Sequence, residues 1–283
     1  MNNDLIIVTG ATGALGSQVV RQLLRRVPAE RVAVSVRDPR KVALEGVTVR
    51  QGDFAAPATL DFTGAAQVLV VSSNTLGPAA LAQHRAAIDA AHAAGAGRIL
   101  YTSHQGAAAD SRFAPMPDHA ATEAHLAATG TPWTSLRNGF YMSTIERLLG
   151  GALQTGELVA PADGPVSWTA HADLAEAAAA ILSGAVFEGP TPPLTAPVAL
   201  DLEAVAALVT ELTGRTVRRV VADDEEWAAG LVSHGVPAEQ SRLLLGMFEA
   251  SRRGEFAATG PALRELIGRP ATSVRDHLAT VLG

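Results

Sequence analysis

Apolar and polar positions along the first half of the chain fall into short blocks that predict strands separated by helices. Six runs rich in apolar and β-branched residues are typical of strands, and they span Leu5–Val8, Arg31–Val36, Val47–Gln51, Gln67–Ser72, Arg98–Ser103 and Trp133–Arg137. Helical periodicity lies between several of them, most clearly over Pro78–Ala94, which Gly95 closes. Strands joined by helical crossovers form parallel sheets with helices on both faces. The pattern therefore predicts an α/β fold built on a doubly wound parallel sheet.

Beyond Asn138 the pattern changes, and loops rich in glycine and proline separate mostly helical segments. These segments span Asp173–Leu182, Leu202–Leu212, Glu225–Ser233 and Ala238–Arg252. Asp173 and Asp201 stand where helix N-caps are expected, and the acidic run 223–226 is expected to cap a helix rather than bind a metal. We predict one domain over residues 1–138, to which the chain returns at about 166–183, and a smaller, mostly helical lobe over 139–283.

The composition narrows the possible functions. The 283-residue chain carries a net charge of −6 with scattered arginines, which argues against a nucleic-acid partner. It contains no cysteine, so disulfides, thiolate metal sites and a cysteine nucleophile are excluded. The eight histidines lack metal-ligand spacing, so we expect no metal, and we expect His84 and His92 to lie at the surface. No apolar segment is long enough to span a membrane and the start of the chain lacks a signal peptide, so we expect a cytoplasmic protein.

Three glycines with the spacing G-x-x-G-x-x-G follow the first predicted strand and open a helix. Gly10 permits a tight turn, Gly13 lets a pyrophosphate approach the backbone, and Gly16 lets the helix pack against the strand. Exposed N–H groups at such a helix N-terminus bind phosphate. The segment predicts a dinucleotide site formed by Gly10, Thr12, Gly13, Ala14, Leu15 and Gly16.

The end of the second predicted strand indicates which dinucleotide is bound. An acidic residue at this position holds the ribose of NAD, whereas arginine accommodates the 2′-phosphate of NADP. Arg37 comes first, with Arg40 and Lys41 close behind, and Asp38 before a proline is better placed as an N-cap. We therefore expect NADP(H), bound by Arg37 and Lys41; a solvated basic turn is the alternative.

Polar residues after the third and fourth predicted strands are further candidates for binding the cofactor. Asp53 is placed to accept a hydrogen bond from the adenine amino group, and Phe54 to flank the base. Ser72, Ser73 and Asn74 are placed near the ribose and nicotinamide. The alternatives are a surface aspartate beside a core phenylalanine, and small polar residues that only form a turn.

Candidate residues for catalysis and for binding the substrate and the nicotinamide lie at or just after the ends of the fifth and sixth predicted strands, at the sheet edge where ligands bind. They are Ser103, His104, His119, Asn138, Phe140 and Tyr141. The titration range of histidine suits His119 to proton transfer. Asn138 offers an amide to the nicotinamide carboxamide, and Phe140 and Tyr141 offer rings to a planar substrate. A half-buried His119 without a chemical role and a purely structural Phe140 are the alternatives.

Together these segments resemble the NmrA-like branch of atypical short-chain dehydrogenases/reductases, in particular its bacterial NADPH quinone oxidoreductase and triphenylmethane reductase group. The matching stretches cover most of the chain and are Val8–Gly16, Val36–Lys41, Gly52–Phe54, Tyr101–Ser103, His119–Glu123, Leu136–Tyr141 and Gly268–Asp276. The resemblance implies a Rossmann-type fold with a small C-terminal lobe, an active cleft between the two, and an NADP(H)-dependent oxidoreductase.

One departure from the wider superfamily bears on the chemistry. The usual catalytic tyrosine and lysine positions fall on Pro115 and His119, and Lys41 is the only lysine in the chain. Hydride addition to a simple ketone needs a positioned acid, whereas a quinone becomes a delocalised phenolate that water protonates later. We therefore expect quinones or related conjugated electrophiles as small-molecule hydride acceptors.

In this interpretation His119, Ser103 and Tyr141 are catalytic, while His104, Phe140 and Tyr141 contact the substrate. Two alternatives stay open: an NADP(H) sensor without turnover, and a reductase of ketones, enones or imines that uses His119 or another residue as acid. A homodimer is possible.

Overall fold

A parallel sheet forms the centre of the computed structural model, which describes residues 4–282. The strands of the described residues, numbered β1 to β11 along the chain, are Leu5–Thr9, Val32–Val36, Thr48–Gln51, Ala65–Val70, Arg98–His104, Trp133–Asn138, Phe140–Tyr141, Glu157–Pro161, Trp168–Thr169, Gly189–Pro190 and Arg218–Ala222. Seven of them pair in the order β10-β6-β5-β4-β1-β2-β3, all parallel. The six predicted strands correspond to β1–β6 to within two residues at each end.

Helices cover both faces of this sheet. Those of the described residues, α1 to α11, are Ala14–Leu23, Gly77–Ala93, Pro115–Ala128, Ser143–Leu149, Ala152–Thr155, His171–Ser183, Leu202–Thr213, Asp224–Ser233, Ala238–Arg252, Ala262–Ile267 and Val274–Leu282. Helices α1, α6 and α10 pack together on one face, and α2 and α3 on the other. All five residues of β2 are buried, as expected for a strand covered on both sides. The Rossmann-type α/β fold is confirmed.

The strand order reverses between β1 and β4. In open α/β sheets this reversal leaves a crevice outside the carboxyl ends of the two strands, because their crossovers leave in opposite directions. The glycine turn follows β1 and the segment Ser72–Asn74 follows β4, so both border the crevice.

The second half of the chain contains strands that the sequence did not predict. Strand β8 pairs with β11, and β7 pairs with β9, both in parallel. The β8–β11 pair leaves Val159 and Val221 exposed, so its sequence lacks the continuous apolar run of a buried strand. Helix α6 packs against α1, while most other helices of this half surround a separate apolar cluster. The domain division at residue 138 stays a prediction.

The helix caps show one wrong prediction. Asp201 and Asp223 are N-caps as predicted, and their carboxylates accept hydrogen bonds from the N–H groups of Ala204 and of residues 225 and 226. Asp173 is not a cap, because α6 begins two residues earlier and its N-cap is Ala170. The fully buried Asp173 carboxylate instead accepts hydrogen bonds from the Thr272 N–H and from Arg269.

The expected surface position of His84 is also wrong. His84 is 2% exposed and lies on the buried face of α2 with Ala80, Ala87 and Ile88, whereas His92 is exposed as expected. A spacing of three or four residues places these side chains on one helix face. Within residues 4–282 no helix is both long and apolar enough to cross a bilayer. Residues 1–3, from which a signal peptide was argued absent, lie outside the described part of the chain.

The contact between α1 and β1 provides a test of the glycine turn. A Cβ atom at Gly16 would overlap the Gly10 carbonyl oxygen, and backbone cannot move aside as a side chain does. We expect Gly16→Ala to lower the free energy of unfolding by about 1–3 kcal/mol, as overpacking does elsewhere. Urea unfolding measures this change.

The matched control is Gly230→Ala, in helix α8, where an added Cβ meets no atom within 4 Å. We expect that variant to be stabilised by about 0.5–1 kcal/mol, because alanine loses less conformational entropy in a helix. Equal stability of the two variants would contradict the proposed close packing.

Candidate active site

The glycine turn after β1 has the geometry that the sequence predicted. Gly10 has a φ of +61°, and its carbonyl oxygen accepts a hydrogen bond of 2.9 Å from the Gly13 N–H. Helix α1 then starts at Ala14, with no side chain capping it and no acidic residue in its first turn. Thr12, Gly13 and Ala14 are exposed, while Leu15 is buried in the core. The N-terminus of α1 therefore presents its backbone N–H groups to an anion.

The basic turn after β2 contains a paired cation, Arg40, and two others that are unpaired among the described residues. Asp38 caps the short turn that follows, accepting hydrogen bonds from the Arg40 backbone and from its guanidinium at 2.8 and 3.1 Å. These bonds from Arg40 lower the pKa of the Asp38 carboxyl. Within residues 4–282, Arg37 and Lys41 are exposed and have no ion pair, so the turn offers two cations to a ligand.

The third predicted binding segment, Asp53 and Phe54, does not line the cleft that lies beyond β4 and β5. The Asp53 carboxylate accepts a hydrogen bond of 3.0 Å from the Ala55 N–H, inside a turn that Thr59 also stabilises. Phe54 is half-buried against the core. Both residues follow β3, at the sheet edge occupied by the glycine and basic turns.

A cleft of about 620 Å³ opens beyond the carboxyl ends of β4 and β5. Eight of the predicted residues line it, namely Ser72, Ser73, Asn74, Ser103, His104, His119, Phe140 and Tyr141. The C-terminal part of the chain contributes the opposite wall, mostly apolar, with Leu148, Trp227, Leu231, Leu243 and Met247. The sequence alone did not indicate these wall residues, because only the tertiary fold brings them to the cleft.

Two histidines and a tyrosine form a hydrogen-bonded group beside the cleft, and a third histidine, His104, lies next to His119. The Tyr101 hydroxyl lies 2.7 Å from His119 Nδ1 and 3.3 Å from His84 Nδ1. His104 Nδ1 accepts a hydrogen bond of 3.0 Å from the Gly106 N–H. Burial lowers the pKa of His84 and of His119 to about 4 and that of His104 to about 3, because charged imidazolium is poorly solvated there. All three rings are therefore neutral at pH 7.

Ser103 belongs to a buried ion-pair network. Its hydroxyl donates to Glu123 Oε1 at 2.8 Å, and the same carboxylate accepts from Ser135 and, in two bonds, from Arg137. Burial alone would raise the pKa of Glu123, but the hydrogen bonds from Arg137, Ser135 and Ser103 outweigh it and hold the pKa below its usual value. The Ser103 proton is thus committed to Glu123.

The segment after β6 combines a buried amide with aromatic rings. Asn138 is 1% exposed, and its Oδ1 has no hydrogen-bond partner within residues 4–282. The Phe140 ring packs edge-on against Phe256 and Trp168, so most of its surface is core. The Tyr141 ring lies 4.1 Å from that of His171, and burial raises the pKa of its hydroxyl.

Comparison with known proteins identifies the family to which this chain belongs. A family model described as NAD(P)H-binding matches residues 10–184, which include the glycine turn, the basic turn and most of the sheet. The chain belongs to this NAD(P)H-binding family.

Several characterised members of the family match the chain over almost its full length. Quinone oxidoreductase 2 of Escherichia coli is 35% identical over 97% of this chain and 98% of its own. The NADPH-dependent quinone oxidoreductase of E. coli in complex with NADPH superposes with a TM-score of 0.93, at 33% identity over 99% and 100% of the chains. Citrobacter triphenylmethane reductase complexed with NADP(H) gives 0.89, at 30% identity over 98% and 99%. The resemblance inferred from the sequence is confirmed.

The residues present fit the cofactor of an NAD(P)H-binding protein. The uncapped N-terminus of α1 suits a pyrophosphate, and unpaired Arg37 and Lys41 suit a second phosphate. Asn138 does not line the cleft itself, but its Oδ1 atom is a buried acceptor that lacks a donor among the described residues. Their assignment to the cofactor remains a proposal.

Sequence reasoning missed three residues that organise the site: His84, Tyr101 and Glu123. A signal for them existed. His119, Thr122, Glu123 and Leu126 follow the i, i+3, i+4, i+7 spacing of one helix face. Tyr101 and Ser103 are two residues apart in β5, so both side chains lie on the sheet face that this helix covers.

The neutral histidines predict how stability depends on pH. Because the folded-state pKa values of His84, His104 and His119 lie at about 4, 3 and 4, below the ordinary value of 6.5, only the unfolded chain binds these protons between about pH 6.5 and 4. Their contribution is complete above about pH 7.5 and is lost as pH falls toward the folded-state pKa values. We expect the urea midpoint to drop between about pH 7.5 and 5.5, before carboxylates titrate.

The slope assigns this effect to individual residues. We expect the urea midpoint of His84→Gln to fall less steeply with pH than that of the wild-type protein. His92→Gln, at an exposed position, should leave the slope unchanged. A midpoint that does not fall over this range would contradict the neutral state of the three rings.

Proposed function

We propose that the chain is an NADPH-dependent oxidoreductase that transfers hydride to quinones or related conjugated electrophiles. The observation that carries this proposal is the chemistry of the cleft. Its polar groups next to the sheet include two neutral imidazoles, His104 and His119, and the opposite wall is largely apolar. None of these groups is an acid poised for proton transfer near pH 7, which a simple ketone needs.

The characterised relatives support the same reaction class. The E. coli relative is named a quinone oxidoreductase and a solved structure of it contains NADPH; the Citrobacter relative reduces triphenylmethane dyes. Quinones and cationic dyes share one property: each accepts hydride without simultaneous protonation. This agrees with a cleft that lacks a strong acid.

Binding of the cofactor is assigned to three parts of the chain. We propose that the turn at residues 10–16 holds the pyrophosphate, that Arg37 and Lys41 hold the 2′-phosphate, and that Asn138 Oδ1 accepts a hydrogen bond from the carboxamide. Ser72, Ser73 and Asn74 line the cleft and are assigned to the ribose and nicotinamide. Asp53 and Phe54 follow β3 at the same sheet edge and are assigned to the adenine.

Bound NADPH supplies the hydride. Reduction of a quinone places negative charge on its oxygen, and N–H groups of His119 and His104 are placed to stabilise that charge by hydrogen bonds. The apolar wall with Trp227 and Leu243 excludes water from the acceptor during transfer, and water protonates the phenolate afterwards. We therefore propose hydrogen-bond donation, and not proton transfer, for His119. We assign Ser103 a positioning role, because its hydroxyl donates to Glu123 and not to the acceptor. Tyr141 contacts the acceptor.

Cofactor preference provides the first test. We expect Arg37→Ala to weaken NADPH binding by about ten- to a hundredfold, since a charge-assisted hydrogen bond contributes about 1.5–3 kcal/mol, and to leave NADH binding nearly unchanged. Calorimetry with both cofactors measures this. Arg85→Ala, at an exposed position on α2, is the control and should change neither affinity. Equal weakening of NADPH and NADH binding would show that this turn does not bind the 2′-phosphate.

Acceptor preference provides the second test. We expect NADPH oxidation with small 1,4-quinones to exceed that with unactivated aliphatic ketones by about a hundredfold or more, because a missing general acid costs about 10²–10⁴ in rate. Initial rates with a panel of quinones, dyes, enones, imines and ketones measure it. Efficient ketone reduction would show that a proton donor exists. Tight NADPH binding without turnover of any acceptor would favour the sensor alternative.

The homodimer and the cytoplasmic location expected from the sequence stay predictions.

A further inference from the structure

A buried hydrogen-bonded chain behind the cleft ends at His119, and its other members have no role in the mechanism proposed above. It runs from the Ser73 backbone through His84 and Tyr101 to His119, across the sheet face that α2 and α3 cover. Tyr101 is fully buried and His84 is 2% exposed, so neither contacts bulk solvent. The direction of each hydrogen bond in this chain follows from groups that can only donate or only accept.

The proton position on His84 is fixed by a backbone amide. The Ser73 N–H donates to His84 Nε2 at 3.0 Å, and an amide N–H cannot accept, so Nε2 carries the lone pair. A neutral ring then carries its proton on Nδ1. That N–H has an acceptor in Thr122 Oγ1 at 3.0 Å, because the Thr122 hydroxyl donates its own proton to the Asp118 carbonyl oxygen.

The same reasoning fixes the direction of the Tyr101 hydroxyl. It cannot donate to His84 Nδ1, which already bears a proton, and it donates instead to His119 Nδ1, which lies closer, at 2.7 Å. His119 therefore accepts at Nδ1 and carries its proton on Nε2. The opposite tautomer of His119 would leave the fully buried Tyr101 hydroxyl proton only the Thr122 side chain, whose oxygen already accepts from His84 Nδ1, and this is unfavourable.

His104 has the same tautomer for an independent reason. The Gly106 N–H donates to His104 Nδ1, which leaves the proton of the neutral ring on Nε2. The His104 and His119 rings are nearly parallel, with centroids 6.4 Å apart, and both line the cleft. Within residues 4–282 neither Nε2 atom has a hydrogen-bond partner, and neither atom is buried.

We propose that Tyr101 and His84 are positioning residues that hold His119 as its Nε2–H tautomer, so that His119 and His104 present two neutral N–H donors to an oxygen of the acceptor. The proposal rests on the proposed function and narrows its substrate class. An acceptor with a hydrogen-bonding oxygen, such as a quinone, gains from both donors as negative charge develops on that oxygen. A cation without such an acceptor atom gains nothing from them.

The tautomers are tested directly by ¹⁵N NMR of protein labelled at histidine, with signals assigned through single histidine variants. We expect Nε2–H for His104 and His119 and Nδ1–H for His84 in the wild-type protein. In Tyr101→Phe, which keeps the ring and removes the hydroxyl, His119 should become a mixture of tautomers while His104 stays unchanged. An Nδ1–H form of His119 in the wild-type protein overturns the proposal, whatever the variant does.

Kinetics on the same proteins separates positioning from general structural damage. We expect Tyr101→Phe to lower kcat/KM for a quinone about tenfold, the equivalent of one hydrogen bond, with the Kd for NADPH unchanged. Ser251→Ala removes a buried hydroxyl of α9 and is the control, for which both values should stay constant. An unchanged kcat/KM in Tyr101→Phe overturns the proposal, as does an equal loss in NADPH affinity.

The two proposals fail differently. Absence of quinone turnover in the wild-type protein, with the predicted tautomers present, contradicts the proposed function and supports the tautomer assignment. Normal quinone turnover with an Nδ1–H form of His119 supports the function and contradicts the assignment.

Discussion

Two buried threonine hydroxyls hold the sheet together at the point where it opens to form the site. The Thr9 hydroxyl donates to the Leu69 carbonyl and accepts from the Val71 N–H, which joins β1 to β4 where the strand order reverses. The Thr102 hydroxyl accepts from the Ser72 N–H in the same way from β5. Beyond the ends of β4 no neighbouring strand satisfies these amides, so side chains take over that function. The next amide, that of Ser73, donates to His84.

These three consecutive amides connect the fold to the chemistry of the cleft. Once the backbone after β4 is fixed, His84 has one allowed tautomer, and the proton positions on Tyr101 and His119 follow from it. Burial adds a second constraint, because it disfavours the imidazolium form, and this supports the proposed role of His119 as a hydrogen-bond donor. A cleft of this kind favours acceptors that tolerate negative charge after reduction, since it offers dipoles and not protons.

The sequence predicted those features that depend on local pattern. Strands β1–β6, the glycine turn and the Asp38 cap each follow from a few consecutive residues, and the structure has them at those positions. Features that depend on distant contacts were missed or wrong. Asp173 has the residue type of a cap, but its carboxylate binds Arg269 and Thr272, nearly a hundred residues away. His84 has a polar side chain on an apolar helix face, and only its partners from β5 and α3 explain its burial.

The Glu123 network places an ion pair of a buried carboxylate and a part-buried guanidinium next to the neutral imidazoles of the site. A desolvated carboxylate is costly, and an apolar contact at the same position is often as stable. Apolar contacts, however, allow a helix to rotate or slide by small amounts, whereas the two bonds to Arg137 and those to Ser103 and Ser135 fix α3 against β5 and β6. His119 lies one turn before Glu123 on the same face of α3. The ion pair therefore anchors to the sheet the part of α3 next to the turn that carries His119, although none of its hydrogen bonds involves His119 or Tyr101.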